Sequence, residues 1–134
     1  MARILIVDDD AAVRGAYALA LEQDGHDTQV AASAEDALTA VRQAVPEAIL
    51  LDLKMPFISG FGFLYRLRKI CPRVPVGIIT GMTDLDEVTC EEIRNLDAEL
   101  WHKPLSMADL QGVARHLLAR ASSETAPVLV DPRR

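Results

Sequence analysis

Residues 4–10 read ILIVDDD, where four branched aliphatic side chains come directly before three consecutive carboxylates. An unbroken apolar run of this length is typical of a strand in a parallel sheet, because helices cover such a strand on both faces. The acids cannot continue the buried strand, since burying a charge without partners is costly. We therefore predict that the strand ends near Val7 and that Asp8, Asp9 and Asp10 lie at its carboxyl end.

Two further apolar runs have the same character, AILL at residues 48–51 and VGII at residues 76–79. Segments with helical spacing or weaker strand character lie between and after them, so strand and helix alternate along the chain. Repeated βα units with short loops favour an open parallel sheet with helices on both faces. The predicted fold class is α/β, a flavodoxin-like (βα)5 doubly wound five-stranded parallel sheet with strand order 2-1-3-4-5.

Helix boundaries follow from apolar spacing. Residues 60–70 and 107–121 are predicted to form the third and fifth helices. The fourth helix is predicted to bury one face, composed of Leu85, Val88, Ile93 and Leu96. Because a helix separates each pair of successive parallel strands, the carboxyl ends of all the predicted strands lie at the same edge of the sheet.

Length and composition limit the class of protein. The chain has 134 residues, half of them apolar, which is enough for one domain with a core and too few for two. We predict one domain over residues 1–121 and a flexible tail or linker over residues 122–134, which are small, polar and interrupted by proline. No apolar run approaches the roughly 20 residues of a membrane helix, so a cytoplasmic protein without membrane contact is expected.

Charge and cysteine content exclude several kinds of site. The net charge is −6 and the internal sequence has no Lys/Arg cluster, so direct nucleic-acid binding is not expected. Cys71 and Cys90 lack metal-ligand spacing and fit reduced thiols.

Polar residues collect at the carboxyl ends of the predicted strands. They are Asp8 and Asp9 after the first strand, Asp52 after the third, Thr80 and Gly81 after the fourth, and Lys103 and Pro104 after the fifth. Ligands bind at this edge of open α/β sheets, where the strand order reverses. Because neighbouring strands lie about 4.8 Å apart, Asp8, Asp9 and Asp52 should converge in one pocket.

Converging carboxylates need a cation. Two carboxylates about 4 Å apart repel by roughly 4 kcal/mol at an effective surface dielectric. A few carboxylate oxygens with open positions for water or phosphate suit Mg²⁺ better than a dedicated calcium cage. We therefore predict a Mg²⁺ site at the tip of the first strand.

Four motifs in register with these strand ends resemble the receiver domain of bacterial two-component response regulators. They are ILIVDDD, LLDLKMP followed by Gly60, IITG and WHKP, and the resemblance covers about residues 3–121. It implies a domain that takes a phosphoryl group from a histidine kinase or histidine phosphotransfer protein and then changes its contacts with a downstream protein. It also implies no enzyme activity beyond Mg²⁺-dependent phosphorylation and dephosphorylation of the domain itself.

The resemblance implies a role for each matching acidic position. Asp52 would be the phosphoacceptor, forming an acyl phosphate. Asp8, Asp9 and Asp52 would hold Mg²⁺ together with the backbone carbonyl of Lys54, and the ion would neutralise charge on the transferring group.

It implies further roles at the fourth and fifth strands. The Thr80 hydroxyl, the Gly81 amide and Lys103 would bind phosphoryl oxygens. The bond between Lys103 and Pro104 would be cis. Phosphorylation would bias a rearrangement of the face formed by the fourth helix, the fifth strand and the fifth helix, which would be the output surface.

Several positions depart from the family pattern. Leu100 occupies the switch position, where the family usually has Tyr or Phe, and NLDAELW replaces the usual Gly-Ala turn before the last strand. An altered connection between the fourth helix and the fifth strand is therefore expected. That helix lacks the lysine of symmetric winged-helix regulators, so a homodimer would be weak. Lys54 and Met82 offer no acid or amide to position water, which predicts a persistent aspartyl phosphate.

Alternatives remain at the levels of function and of single residues. A receiver-like interaction module that signals without phosphate would keep the fold, and Leu100 supports it. A Mg²⁺-dependent phosphohydrolase would also begin at a first-strand tip, but it needs Asp-x-Asp followed by Thr and Gly, whereas DDDAAV stands here. For Asp10 an ordinary helix N-cap is favoured over metal binding. For Trp101 half-buried packing on the sheet is favoured over an exposed anchor.

Overall fold

The computed structural model describes residues 2–52, 60–81 and 85–122, and five strands alternate with five helices over these residues. The strands are β1 (Arg3–Val7), β2 (Asp27–Ala31), β3 (Ala48–Asp52), β4 (Val76–Thr80) and β5 (Ala98–His102). The helices are α1 (Ala11–Gln23), α2 (Ala34–Gln43), α3 (Gly60–Ile70), α4 (Glu87–Asn95) and α5 (Met107–Ser122). The predicted alternation of strand and helix is therefore confirmed.

All four strand pairs of the sheet are parallel, and the order is β2-β1-β3-β4-β5. Val7 lies opposite Leu51 between β1 and β3, and Asp52 lies opposite Ile79 between β3 and β4. The predicted fold class and strand order are confirmed, and this register brings the carboxyl ends of β1, β3 and β4 to one edge.

Alternate strand residues divide the core into two layers, because successive side chains of a strand point to opposite faces. Leu5, Val7, Ile49 and Leu51 pack with α2, α3 and Ile93 of α4. The other layer packs against α1 and α5, and its strand residues are Ile4, Ile6, Ala48, Leu50 and Ile79. Continuous apolar strands are thus needed to fill both layers.

Side-chain caps begin four of the helices, and at α2 the Ser33 hydroxyl accepts a hydrogen bond from the Asp36 amide at 3.1 Å. The Asp10 carboxylate accepts hydrogen bonds from the amides of Ala12 and Val13 at the start of α1, the N-cap predicted for this residue. Asp86 accepts from the amide of Thr89 at 2.7 Å and begins α4. Before α5, Ser106 and Asp109 each accept a hydrogen bond from the other's backbone amide.

The buried face of α4 differs from the prediction. Val88 was predicted to be part of it, but this side chain is 72% exposed, while Ile93 is buried. The inward face combines Ile93 with the half-buried Thr89 and Cys90. The prediction was wrong because it counted helical spacing from Leu85, which precedes the N-cap Asp86 and is not in the helix.

The connection from α4 to β5 is built around Arg68 of α3. Its guanidinium donates hydrogen bonds to the carbonyls of Leu96 at 2.7 Å and Asp97 at 3.1 Å, at the end of α4. It also donates to three carbonyls after α3, those of Cys71, Pro72 and Val74. Asp97 has a φ of 56°, a left-handed conformation that usually favours glycine.

Trp101 is half-buried in the layer between the sheet and α5, as predicted. Its ring centroid lies 5.8 Å from that of His116 with an interplanar angle of 75°, an edge-to-face contact. A Cβ on Gly77 of β4 would lie 3.0 Å from Trp101 Cζ3 and from Leu117 Cδ1. Gly77 therefore leaves the space beside β4 that Trp101 and Leu117 occupy.

Helices α1 and α5 are joined on one face of the sheet. Gln111 donates a hydrogen bond to the Ala20 carbonyl at 2.8 Å, and Arg115 forms a bidentate ion pair with Asp24. Helix α5 ends one residue beyond the predicted domain boundary; residues 123–134 lie outside the described part, so the predicted tail stays a prediction. Among the described helices, none is long and apolar enough to span a bilayer.

Candidate metal and phosphoryl site

Three carboxylates converge at the carboxyl edge of the sheet. Asp8, Asp9 and Asp52 each bring one oxygen into a group whose members all lie within 4.8 Å of one another. Asp8 is 2% exposed and Asp52 is 7% exposed, while Asp9 is open to solvent. The acidic pocket predicted from the strand ends is therefore present, with two buried members and one accessible member.

Asp8 is the most constrained of these acids. Its Oδ1 accepts a hydrogen bond from the Asp10 amide at 2.9 Å, and its backbone carbonyl accepts one from Arg14 Nη1 at 2.8 Å. Its Oδ2 is buried and has no hydrogen-bond partner among the described residues. Burial raises the pKa of Asp8, and the nearby charges of Asp52 and Asp9 raise it further against the opposing effects of the Asp10 amide and Lys103.

Tyr17 of α1 lies beneath the acids. It lines a small hollow together with Asp8, Asp52 and apolar residues of β1, β3 and β4. Burial raises the pKa of its phenol, and the charges of Asp8 and Asp52 add to this effect. Helical spacing in the sequence indicates that Tyr17 faces the core, but it does not indicate which residues surround the phenol, so its place beside the acids could not be predicted.

A single lysine faces the acids among the described residues. Lys103 Nζ lies 3.8 Å from Asp52 Oδ2, a distance that corresponds to a loose ion pair. The Lys103 amide donates a hydrogen bond to the Thr80 carbonyl at 2.7 Å, which fixes the start of the β5–α5 loop against the end of β4. The peptide bond between Lys103 and Pro104 is cis, the isomer that the resemblance implies.

The remaining predicted residues lie at the end of β4, on β5 or outside the described residues. Thr80 is the last residue of β4 and is fully buried, and the exposed Gly81 follows it directly. Lys54 and Met82 lie outside the described residues. Leu100 is half-buried and packs with the layer that contains α4, on the opposite face of β5 from Trp101.

The donor set fits a hard divalent cation. All its ligand atoms are carboxylate oxygens, which Mg²⁺ prefers to nitrogen or sulfur. The orphaned Oδ2 of Asp8 is a buried anionic atom that a cation would satisfy. One solvent-exposed ligand, Asp9, leaves an open side where an incoming group can approach.

Comparison with known proteins identifies the family. The profile of the response regulator receiver domain matches residues 4–115, which is most of the chain. This chain belongs to the response regulator receiver domain family of two-component signalling. Such domains are signalling switches and not classical enzymes, and the family match favours a receiver over the phosphohydrolase alternative.

Relatives and solved structures agree with this assignment. A DNA-binding response regulator, MtrA of Mycobacterium tuberculosis, is 34% identical over 127 residues, which are 95% of this chain and 55% of that protein. The chain thus spans about half the length of the curated relatives it matches. The receiver domain of NtrX from Brucella abortus is 31% identical with a TM-score of 0.79 and covers 87% of this chain and 98% of its own. Chemotaxis protein CheY4 of Vibrio cholerae is 26% identical, also with a TM-score of 0.79, over 88% and 99% of the two chains.

Proposed function

We propose that this receiver domain accepts a phosphoryl group on Asp52 in a Mg²⁺-dependent reaction. The observation that carries the proposal is the convergence of three carboxylate oxygens within 4.8 Å of one another, with Lys103 Nζ 3.8 Å from Asp52. Carboxylates this close repel one another, and such an arrangement is typical of sites where a bound cation or an incoming group compensates the repulsion. Family membership supports the same assignment.

Asp52 is suited to the role of nucleophile. It ends β3 and is mostly buried, so its carboxylate is held by a rigid strand and not by a loop. In the proposed transfer, a carboxylate oxygen of Asp52 forms a bond to phosphorus while the bond between phosphorus and the nitrogen of a donor phosphohistidine breaks. The donor would be a histidine kinase or a histidine phosphotransfer protein.

Asp8, Asp9 and Asp52 would hold Mg²⁺, with the backbone carbonyl of Lys54 as a further ligand. When bound, the ion supplies neutralisation of charge on the phosphoryl oxygens. Asp9 is the exposed acid and would be a direct ligand. The hydrogen bond from the Asp10 amide to Asp8 Oδ1 orients the Asp8 carboxylate toward the proposed ion. Arg14 fixes the backbone of Asp8 through its carbonyl.

Lys103, Thr80 and Gly81 would bind the phosphoryl group after transfer. The Lys103 ammonium already faces Asp52, so it can move with the charge from the carboxylate to a phosphoryl oxygen. The Thr80 hydroxyl and the Gly81 amide would donate hydrogen bonds from the end of β4. The hydrogen bond from the Lys103 amide to the Thr80 carbonyl ties the end of β4, which carries both donors, to the loop that begins at Lys103.

We further propose that phosphorylation changes the face formed by α4, β5 and α5, and that a downstream protein recognises this face. Thr80 is fully buried beside β5, so a shift of its side chain has to displace neighbouring atoms. The word DNA-binding in the name of MtrA describes that protein, and direct binding of nucleic acid is not proposed for this chain, whose net charge is −6. A cytoplasmic location fits a kinase partner and is part of the proposal.

Intact-mass measurement tests the transfer. The protein is incubated with acetyl phosphate, with and without Mg²⁺, and we expect one phosphoryl adduct that requires the metal. The adduct should be absent in Asp52→Asn and present in Asp27→Asn, a matched loss of an exposed strand carboxylate. An unmodified wild type with Mg²⁺, or an adduct that persists in Asp52→Asn, would contradict the proposal.

The second candidate is a receiver that signals through protein contacts without phosphate. Leu100 supports it, because the side chain at the switch position cannot provide the aromatic ring that the family usually uses. The mass measurement separates the two functions. A protein that binds Mg²⁺ but never forms the Asp52 adduct, with acetyl phosphate or a partner kinase, would favour the second.

A further inference from the structure

An open groove lies between α4 and β5, and it shares no lining residue with the hollow at the acidic pocket. Its walls are Cys90, Ile93 and Arg94 from α4 and Ala98, Glu99 and Leu100 from β5, and its volume is about 300 Å³. We call it the α4–β5 groove. Within the described sheet, β5 pairs only with β4 and is an edge strand, so the groove borders an edge that no described strand covers.

The groove has an apolar floor, its walls carry one base, Arg94, and one acid, Glu99, and further acids are exposed elsewhere on α4. Ile93, Ala98 and Leu100 belong to the apolar core layer or pack directly against it. On the outer surface of α4, Val88 is 72% exposed, and Glu87 and Glu91 are exposed beside it. A suitable occupant therefore has short aliphatic side chains and carries basic residues at one end.

The last described helix ends beside this groove. Arg120, two residues before the end of α5, donates a hydrogen bond to Glu99 Oε1 at 3.1 Å, and Glu99 is a groove residue. The same guanidinium contacts Asp97 Oδ1 at 3.1 Å, at the turn that precedes β5. The chain therefore leaves α5 within one side-chain length of the groove wall.

The sequence after α5 has the composition that the groove requires. Residues 128–130 are Val-Leu-Val, and Arg133 and Arg134 follow them. Val128 lies six positions after Ser122, and an extended chain of this length spans about 20 Å. Because the segment is tethered nearby, its effective concentration at the groove is on the order of millimolar, so weak apolar contacts suffice for binding.

We propose that residues 128–130 of this chain dock into the α4–β5 groove, with Leu129 against Ile93 and Leu100, and with Arg133 and Arg134 toward the exposed acids of α4. The docking is independent of phosphoryl transfer. Its consequence for signalling rests on the proposed function, because the groove is part of the proposed output face. There the tail and a downstream protein would compete for one surface.

The reactivity of Cys90 with N-ethylmaleimide tests the docking in the full chain. Cys90 is a half-buried free thiol in the groove wall, while the free thiol of Cys71 is fully buried and reports that the core stays closed. Leu129→Asp should accelerate labelling of Cys90 about tenfold, the ratio that corresponds to about 1.4 kcal/mol of lost docking. Thr125→Asp adds the same charge to the tail outside the Val-Leu-Val segment and should leave the rate unchanged.

A disulfide provides a second measurement. In Leu129→Cys, mild oxidation with diamide should form an intramolecular bond to Cys90, which requires the two Cα atoms to approach within about 7 Å. Val30→Cys is the control, since residue 30 is exposed on β2 at the other edge of the sheet. Equal labelling rates in wild type and Leu129→Asp, or disulfides formed only between two chains, would overturn the proposal. The second result would indicate another copy as the occupant. Neither measurement involves Mg²⁺ or phosphate, so its failure is distinct from failure of the proposed function.

Discussion

Two partly or fully buried charged regions lie at opposite ends of the sheet, and they differ in how well their charges are satisfied. At the amino ends of β4 and β5, the Arg68 guanidinium donates to five backbone carbonyls. At the carboxyl ends of β1 and β3, Asp8 and Asp52 lie close together, and Asp8 Oδ2 has no hydrogen-bond partner among the described residues. A charge with a complete set of partners holds the fold together, whereas a charge lacking a partner marks a place for a ligand.

The largest expected effect is the loss of the satisfied charge. Arg68→Met keeps the aliphatic part of the side chain but leaves carbonyls at the ends of α3 and α4 without donors. We expect the free energy of unfolding to fall by about 3 kcal/mol or more, measured by urea denaturation.

Arg66→Met on the same helix is the control for this change. Arg66 pairs with Glu35 on the exposed surface, and such pairs contribute little, so we expect stability close to that of wild type. Equal losses for the two variants would show that the carbonyl contacts of Arg68 have no special weight.

The next effect concerns the cation that we propose binds the acids. If Mg²⁺ binds the folded protein at the pocket, a concentration one hundred times its Kd raises the free energy of unfolding by about 2.7 kcal/mol. The increase should be lost in Asp9→Asn and kept in Asp27→Asn. An equal response of both variants in thermal denaturation would place the ion elsewhere.

Removing the orphaned charge should stabilise the metal-free protein. The folded-state pKa of Asp8 lies above its ordinary value of 3.8, so folding favours the protonated form. Stability is therefore lost as pH rises through the folded-state pKa, because the folded protein must then bury a carboxylate. We expect Asp8→Asn to be more stable than wild type at pH 7 without Mg²⁺, measured by urea denaturation.

The pH dependence of this difference is its own check. The advantage of Asp8→Asn should shrink as pH falls toward 3.8, because the raised pKa means that Asp8 in the wild type takes up its proton above that value. An advantage that stays constant from pH 4 to pH 8 would point to a cause other than the Asp8 charge.

The smallest expected effect is that of replacing Asp10, the third of the consecutive acids that follow β1. Asp10 is satisfied by the amides of Ala12 and Val13 and is not part of the cluster. Asp10→Ala should cost about 1 kcal/mol through loss of the N-cap, and Asp10→Asn should cost almost nothing because Asn caps equally well. Neither variant should change the response to Mg²⁺, and a weakened response would assign Asp10 to the pocket.

The sequence was sufficient to predict the sheet and the position of the acids. Runs such as ILIV and AILL have a simple cause, burial on both faces, and each ends at a polar residue that cannot continue the core. Strand boundaries were therefore predictable to within about one residue, and with them the meeting of Asp8, Asp9 and Asp52. The bounds of α3 were predicted correctly for the same kind of reason, since apolar spacing fills its whole length.

The parts that could not be predicted depend on directions in space. Helix α4 has nine residues, and its inward face depends on how it crosses β5, so the pattern alone misplaced Val88. Arg68 looked like any basic residue near a helix end, because two of its five carbonyl partners, Leu96 and Asp97, lie almost 30 residues away in the sequence. The orphaned oxygen of Asp8 likewise has no sequence signature. The assignment of roles to individual site residues remains a prediction.

The turn at Asp97 has a mechanical consequence. This residue lies in the turn after α4 and has a left-handed backbone; its carbonyl accepts a hydrogen bond from Arg68 of α3, and its carboxylate accepts one from Arg120 of α5. A glycine would relax the backbone but would lose the attachment to α5. An outward displacement of the end of α4 would therefore strain its contacts with α3 on one face of the sheet and with α5 on the other. The three helices are thus mechanically coupled through Asp97.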